Sequence, residues 1–117
     1  MEHQKLPQNP IAVVLTLLGT KWKFLTVKNL LQKDMRFNEL KKSLGCTSKS
    51  LTLCLKELEK DGVVFREKDS DEFNKVTYYL TDIGYSLHPV IKSMEQWGKE
   101  YKKLRKLQEK YSSETEK

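Results

Sequence analysis

Cysteine, histidine and glycine are all scarce in this chain of 117 residues, with two, two and five copies. The two cysteines, Cys46 and Cys54, make no disulfide framework, and nothing nearby supplies the missing ligands of a zinc site. The two histidines, His3 in a polar N-terminal stretch and His88 beside Pro89, offer little for general acid–base chemistry. There is no phosphate-cradling glycine loop, no nucleophile elbow and no His-Glu-x-x-His pair. No enzymatic activity, metal or other cofactor is therefore expected. No apolar run approaches the ~20 residues of a membrane span and the first residues lack a signal-peptide pattern, so a cytoplasmic location without membrane contact is expected.

What the chain does have is basic charge, unevenly placed. The formal net charge is +6. Residues 20–60 hold ten Lys/Arg and four Asp/Glu, a balance of +6, and the remainder holds twelve of each. All the excess therefore surrounds one segment. A single-sign patch of this kind attracts phosphates and speeds encounter with nucleic acid, whereas a merely solvated lysine surface has no reason to concentrate there.

Within that segment the apolar spacing is specific. Phe37, Leu40 and Leu44 fall at i, i+3 and i+7, one face of a short helix. Gly45 is a stop, because glycine takes the left-handed conformation that ends helices cheaply. Ser48 or Thr47 can then cap a second helix whose core face is Leu51, Leu55 and Leu58, closed by Gly62. Two short helices joined by a tight turn form a helix-turn-helix, whose second helix enters the major groove of DNA.

A hairpin follows directly. Residues 63–68 are strand-like, 69–74 form a turn, and Val76, Tyr78 and Leu80 alternate with Lys75, Thr77 and Tyr79 as in a half-buried sheet. The hairpin is the wing of a winged helix-turn-helix, and Met35-Arg36 can add a short edge strand to it. The expected fold is mainly α with a small β-hairpin (α+β), with a long C-terminal dimerisation helix. Length allows one modest core, with boundaries at 1–8 for a flexible N-terminal segment, 9–111 for the domain and 112–117 for a flexible tail.

The flanking helices complete the pattern. Asn9 can cap a first helix with Pro10 at its first position, Ile11, Val14, Leu15 and Leu18 on its apolar face and Gly19 at its end. A second helix over about 20–32 is apolar around most of its circumference, through Trp22, Phe24, Leu25, Val27, Leu30 and Leu31, and should be the central buried element. Beyond Thr81, which can cap a last helix, Ile83, Leu87, Val90, Met94, Trp97, Tyr101, Leu104, Gln108 and Tyr111 step alternately by four and three, with Gln108 the one polar interruption. That is a heptad seam longer than packing on a small domain requires, and it points to a homodimer, with packing against the first helices as the alternative. Pro89 removes a backbone donor inside it, so a kink or break near His88 is expected.

Taken in order, these residues resemble the HxlR family of bacterial winged helix-turn-helix transcription regulators. The resemblance runs from about Asn9 to Trp97. It rests on Pro10-Ile11, Gly19-Thr20-Lys21-Trp22, Arg36-Phe37-Asn38-Glu39-Leu40, and the helix marked by Ser48, Leu51, Thr52 and Leu55. Leu58-Glu59-x-Asp61-Gly62, Tyr79-Leu80-Thr81-x-x-Gly84 and Trp97-Gly98 complete it. It implies a homodimeric, sequence-specific DNA-binding transcriptional regulator, with dimer contacts from the first and last helices: Ile11 and Leu15, then Val90, Met94, Trp97, Tyr101 and Leu104. Many members carry a cysteine immediately before the proline of the first helix, and some use it to sense oxidants or electrophiles. Asn9 stands there in this chain, so thiol sensing by that route is not implied. The wing departs too, with four acids and three bases over residues 66–75, where members tend to have basic or proline-rich tips. A winged helix used for protein–protein contact is the alternative function that such a wing would tolerate.

With Leu51, Leu55 and Leu58 facing the core, a step of 100° per residue puts Lys49, Leu53, Lys56 and Lys60 on the opposite face and Thr52 at its edge. Ser48, Lys49, Ser50, Thr52 and Leu53 are the base-reading candidates, Leu53 suiting a thymine methyl. Lys56 and Lys60 are better placed for phosphates. Lys21, Lys23, Lys41 and Lys42 are further phosphate candidates, as are Lys68 and Lys75 at the base of the wing. Cys54 flanks the apolar face of its helix, where a small core residue is the ordinary reading and a reactive thiol the alternative. The operator, the sign of regulation and any small-molecule effector are not specified by these residues.

Overall fold

The structure is a computed structural model and describes residues 5–68 and 75–115, with side chains through Ser112. The expected wing turn at 69–74 lies outside the described residues. The chain forms two compact units, Met1–Leu87 and His88–Lys117.

The first unit begins with α1 (Pro10–Leu18) and α2 (Lys21–Gln32). Asn9 caps α1, its side-chain oxygen accepting from Ile11 N at 2.8 Å and Ala12 N at 3.4 Å, and Pro10 opens the helix where a missing N–H costs nothing. Thr20 caps α2 through Lys23 N. Strand β1 (Met35–Arg36) leads into α3 (Phe37–Leu44), and α4 (Ser48–Lys60) follows after a short turn. Gly45 adopts φ +69° and Gly62 φ +75°, the left-handed caps that free α3 and α4 to turn sharply. Between the two possible caps of α4 the structure selects Thr47, whose hydroxyl accepts from Ser50 N at 3.1 Å.

Strands β2 (Val64–Lys68) and β3 (Val76–Leu80) close the wing. The sheet order is β1-β3-β2, all antiparallel, with Met35 opposite Tyr78 and Arg66 also opposite Tyr78 on the other side. The alternation expected along β3 is not reproduced: Val76 to Tyr79 are all half-buried and only Leu80 is buried. The reason is its central position, flanked by a strand on each side, with Tyr79 stacked on Phe65 at 4.8 Å between ring centroids.

The core sits where α2 packs against α1, α3, α4 and β3. Leu18, Val27, Leu30, Leu40, Leu51 and Leu58 are fully buried there, so each truncation to alanine would cost about 2–5 kcal/mol. The buried face of α2 is narrower than its composition suggests. Trp22, Phe24, Leu25 and Leu31 remain half-buried, and the buried positions include Lys23 and Thr26. Asn29 ties α2 to α3, accepting from Ser43 Oγ at 2.5 Å while donating to Leu25 O at 2.7 Å.

The C-terminal seam is divided. Thr81 caps the short α5 (Asp82–Ser86) through Gly84 N, and a second helix, α6 (His88–Thr115), starts after Leu87. The break falls beside Pro89, which occupies the first turn of α6, where its missing donor is harmless. Ile83 and Leu87 therefore belong to α5 and its end rather than to the long helix, and the continuous seam starts at Val90. Helix α6 runs past Tyr111 to Thr115. Along it Met94, Trp97, Tyr101, Leu104, Leu107 and Tyr111 are exposed, and Trp97 stacks on Tyr101 at 5.3 Å. No single helix among the described residues is long and apolar enough to cross a membrane.

Candidate nucleic-acid interface

Helix α4 divides cleanly into two faces. Leu51, Cys54, Leu55 and Leu58 are buried, while Lys49, Thr52, Leu53, Lys56 and Lys60 are exposed. Leu53 is 60% exposed, a cost that a solvent-facing helix surface has no need to bear. The side chains of Lys49, Thr52, Lys56 and Lys60 take no part in a hydrogen bond or ion pair among the described residues. Their polar groups are available to a partner without breaking an internal contact.

The first turn of α4 is more constrained. Ser48 is exposed, whereas Ser50 is half-buried and its Oγ accepts from Thr47 Oγ1 at 3.0 Å. Ser50 keeps its own hydroxyl proton for donation, but its rotamer is set by the cap. The N–H groups of Ser48 and Lys49 precede the first helical bond, from Leu51 N to Thr47 O, and such a helix start favours negative charge.

The outlying lysines differ from one another. Lys21 is exposed and sits over the Trp22 ring, 4.9 Å from its centroid. Lys42 is exposed and Lys41 half-buried in the last turn of α3, where cations complement the helix dipole. Lys68 is exposed at the wing and Lys75 half-buried. Lys23 is a correction to the expected phosphate contacts. It is only 7% exposed and its Nζ lies 2.7 Å from Glu57 Oε2, because the α2 face it occupies packs on α4. Its charge is spent inside the fold.

Glu39 shapes the approach to the motif. It accepts from Arg36 N and from Lys33 Nζ, each at 3.2 Å; arginine has no acceptor, so only this reciprocal half of a capping box forms. The Arg36 backbone N–H, helped by the Lys33 ammonium, holds the Glu39 carboxyl below the usual carboxylate range. The two thiols are unequal. Burial pushes the Cys54 thiol up, opposed by a contact of 3.5 Å with the Thr26 hydroxyl, so it is a poor nucleophile. Cys46 is half-buried in the turn of the motif.

Arg66 was not singled out by sequence, since it stands in a wing of acidic balance. Its register opposite Tyr78 on β3 brings it to the edge of α4, where it lines one cavity with Thr52, Lys56 and Glu59. Only strand pairing reveals that proximity.

The sequence matches the HxlR-like helix-turn-helix family profile over residues 17–106. The chain belongs to that family. Among similar proteins is the HTH-type transcriptional regulator YdeP of Bacillus subtilis, 43% identical over 94 residues that cover 80% of this chain and 73% of YdeP. The redox regulator HypR in its reduced form superposes with a TM-score of 0.77 at 34% identity, covering 84% of this chain and 98% of HypR. The reduced form of the transcriptional regulator YodB from B. subtilis superposes with a TM-score of 0.67 at 32% identity, covering 78% of this chain and 91% of YodB. This HxlR-like chain is thus a winged helix-turn-helix transcriptional regulator, of a family of regulators rather than enzymes.

Proposed function

We propose that this regulator acts as a homodimer that places α4 of each protomer in the major groove of an operator. The observation that carries the reading is the divided surface of α4, with four exposed, uncommitted polar side chains opposite a leucine face. Lys49, Thr52 and Leu53, with Ser48 and Ser50 at the helix start, read base edges. Lys56 and Lys60 meet phosphates, joined by Lys21, Lys41, Lys42, Lys68 and Lys75 from flanking elements. Lys23 is excluded because it is paired internally. A cytoplasmic location follows from this reading, since that is where the DNA is.

Dimerisation is supported by exposed apolar residues on both helices that the family resemblance implicates. Ile11 and Leu15 are 71% and 59% exposed on α1. Met94, Trp97, Tyr101 and Leu104 are exposed at heptad spacing on α6, and Val90 is half-buried. Two-fold symmetry would present two recognition helices to two half-sites. HypR and YodB are solved as redox or quinone-bound regulators; Asn9, committed here to capping α1, supplies no thiol, so a different input is proposed.

The test is titration of random duplex DNA at several salt concentrations, followed by mapping of protected sites across the source genome. A steep salt slope and discrete protected sites are expected. Binding to protein partners with no salt-dependent DNA affinity would favour an interaction module instead.

A further inference from the structure

Between α4 and the base of the wing lies a cavity of about 270 Å³. Its apolar lining comes from Leu55, buried on α4, from Phe37 at the start of α3 and from the ring of Tyr78 on β3. Its polar rim comes from Thr52, Lys56 and Glu59 of α4 and from Arg66 of β2. Residues 52, 56 and 59 follow one another by four and three, one stripe of the helix facing the strand. Among the described residues the side chains of Thr52, Lys56, Glu59, Arg66 and Tyr78 take part in no hydrogen bond or ion pair. Two cations, one carboxylate and two hydroxyls thus surround an apolar floor without partners.

Each part narrows the ligand. A guanidinium and an ammonium at one rim suit a carboxylate, which arginine can grip through two parallel hydrogen bonds. Aromatic and leucine side chains below suit a flat hydrocarbon body, and the volume, near the small end of ligand pockets, holds one or two fused rings. Glu59 is the discriminating group. A phosphodiester has no proton to give it and would be repelled, whereas a hydroxyl or amine can donate to it. An open groove for the DNA backbone would need neither the apolar floor nor the carboxylate.

We infer that this cavity binds a small aromatic carboxylate bearing a hydroxyl or amino donor, and that occupancy weakens operator binding. The coupling rests on the reading of α4 as the DNA-contacting helix, because Thr52 and Lys56 belong to both surfaces; the binding site itself does not. A carboxylate that engages Lys56 removes that charge from the phosphates, and linkage requires DNA to weaken the ligand by the same factor.

The experiment uses the full chain with 4-hydroxybenzoate and 6-hydroxy-2-naphthoate as probes, first without DNA, by calorimetric titration. Saturable binding at one site per chain is expected. Arg66→Ala should weaken it about tenfold or more, with Arg66→Lys between the two. Glu59→Gln should lose part of the affinity for 4-hydroxybenzoate while improving that for benzoate, a reversal that a loss of folding cannot produce. No saturation by either hydroxylated probe below about 10 mM, or saturation indifferent to Arg66→Ala, would overturn the site. Duplex DNA is then titrated with and without saturating probe. Unchanged DNA affinity overturns the coupling alone, and a chain that binds probe but no DNA at any salt overturns the reading of α4 instead.

Discussion

The ammonium of Lys23 lies 2.7 Å from the carboxylate of Glu57, joining the start of α2 to the middle of α4. Lys23 is buried while Glu57 is part exposed, so the two ends of the pair carry unequal risk. Removing Glu57 strands a buried cation, whereas removing Lys23 leaves a carboxylate that water can still reach. Glu57→Ala is therefore expected to cost about 2–3 kcal/mol and Lys23→Met under about 1 kcal/mol, read from urea unfolding midpoints at equal slope. Lys23→Met should leave the salt slope of DNA binding unchanged while Lys21→Met reduces it by about one. Equal slopes for the two variants would restore Lys23 to the DNA surface.

On the proposed reading, readout and anchoring separate along α4. Lys49→Ala and Thr52→Ala should each reduce discrimination between operator and random DNA, by about 1–3 kcal/mol for a residue that reads a base. Lys60→Ala, in the last turn, should weaken both duplexes alike and lower the salt slope by about one. The reverse pattern across the three variants would mean that the helix enters the groove by its other end.

Gly84 has no room for a side chain. A Cβ there would meet the Val63 carbonyl oxygen at 2.4 Å and Leu80 Cδ2 at 2.9 Å. The Thr81 hydroxyl fixes the same corner, donating toward the carbonyls of Gly62 at 2.5 Å and Val63 at 3.1 Å. Backbone cannot yield as a side-chain tip can, so Gly84→Ala should cost about 1–3 kcal/mol or more. Gly98→Ala, with open space around its Cα, should stabilise α6 by about 1 kcal/mol. Thermal melts that fail to separate the two variants would contradict this packing.

Diamide is expected to leave DNA affinity nearly unchanged. Cys54 is buried with its thiol pushed up by desolvation, and position 9 holds a capping asparagine. A large loss of binding that Cys46→Ser abolishes would establish a thiol switch in the turn of the motif.

The chain should sediment as a dimer at micromolar concentration, and Trp97→Ala with Tyr101→Ala should shift it toward the 13.8 kDa protomer. These rings stack on each other along an exposed face of α6, so their loss removes contact area without emptying a buried position. A wild-type chain that sediments as a stable monomer would refute the assembly.

Elements whose signals are local were legible in the residues. Asn9-Pro10, Thr81 and the glycines at 45 and 62 act through their own neighbours, and caps and left-handed turns need nothing further. The leucine spacing of α4 likewise settled which of its faces is buried, since a helix has one period. Pro89 predicts the break after Leu87 but not its consequence for the seam. A stepping pattern does not register that two of its members end on a different helix.

The sequence by itself determined the order of elements, the basic concentration around the helix-turn-helix and the family, because composition, caps and periodicity are properties of the chain. Tertiary structure alone decided which cations remain free. Lys21 and Lys23 are alike in sequence, yet one faces water and the other is buried against Glu57. It alone brought Arg66 beside Thr52, Lys56 and Glu59. Both outcomes depend on contacts between residues far apart in the chain, set by how α2 and β2 pack on α4, and no local spacing encodes such distances.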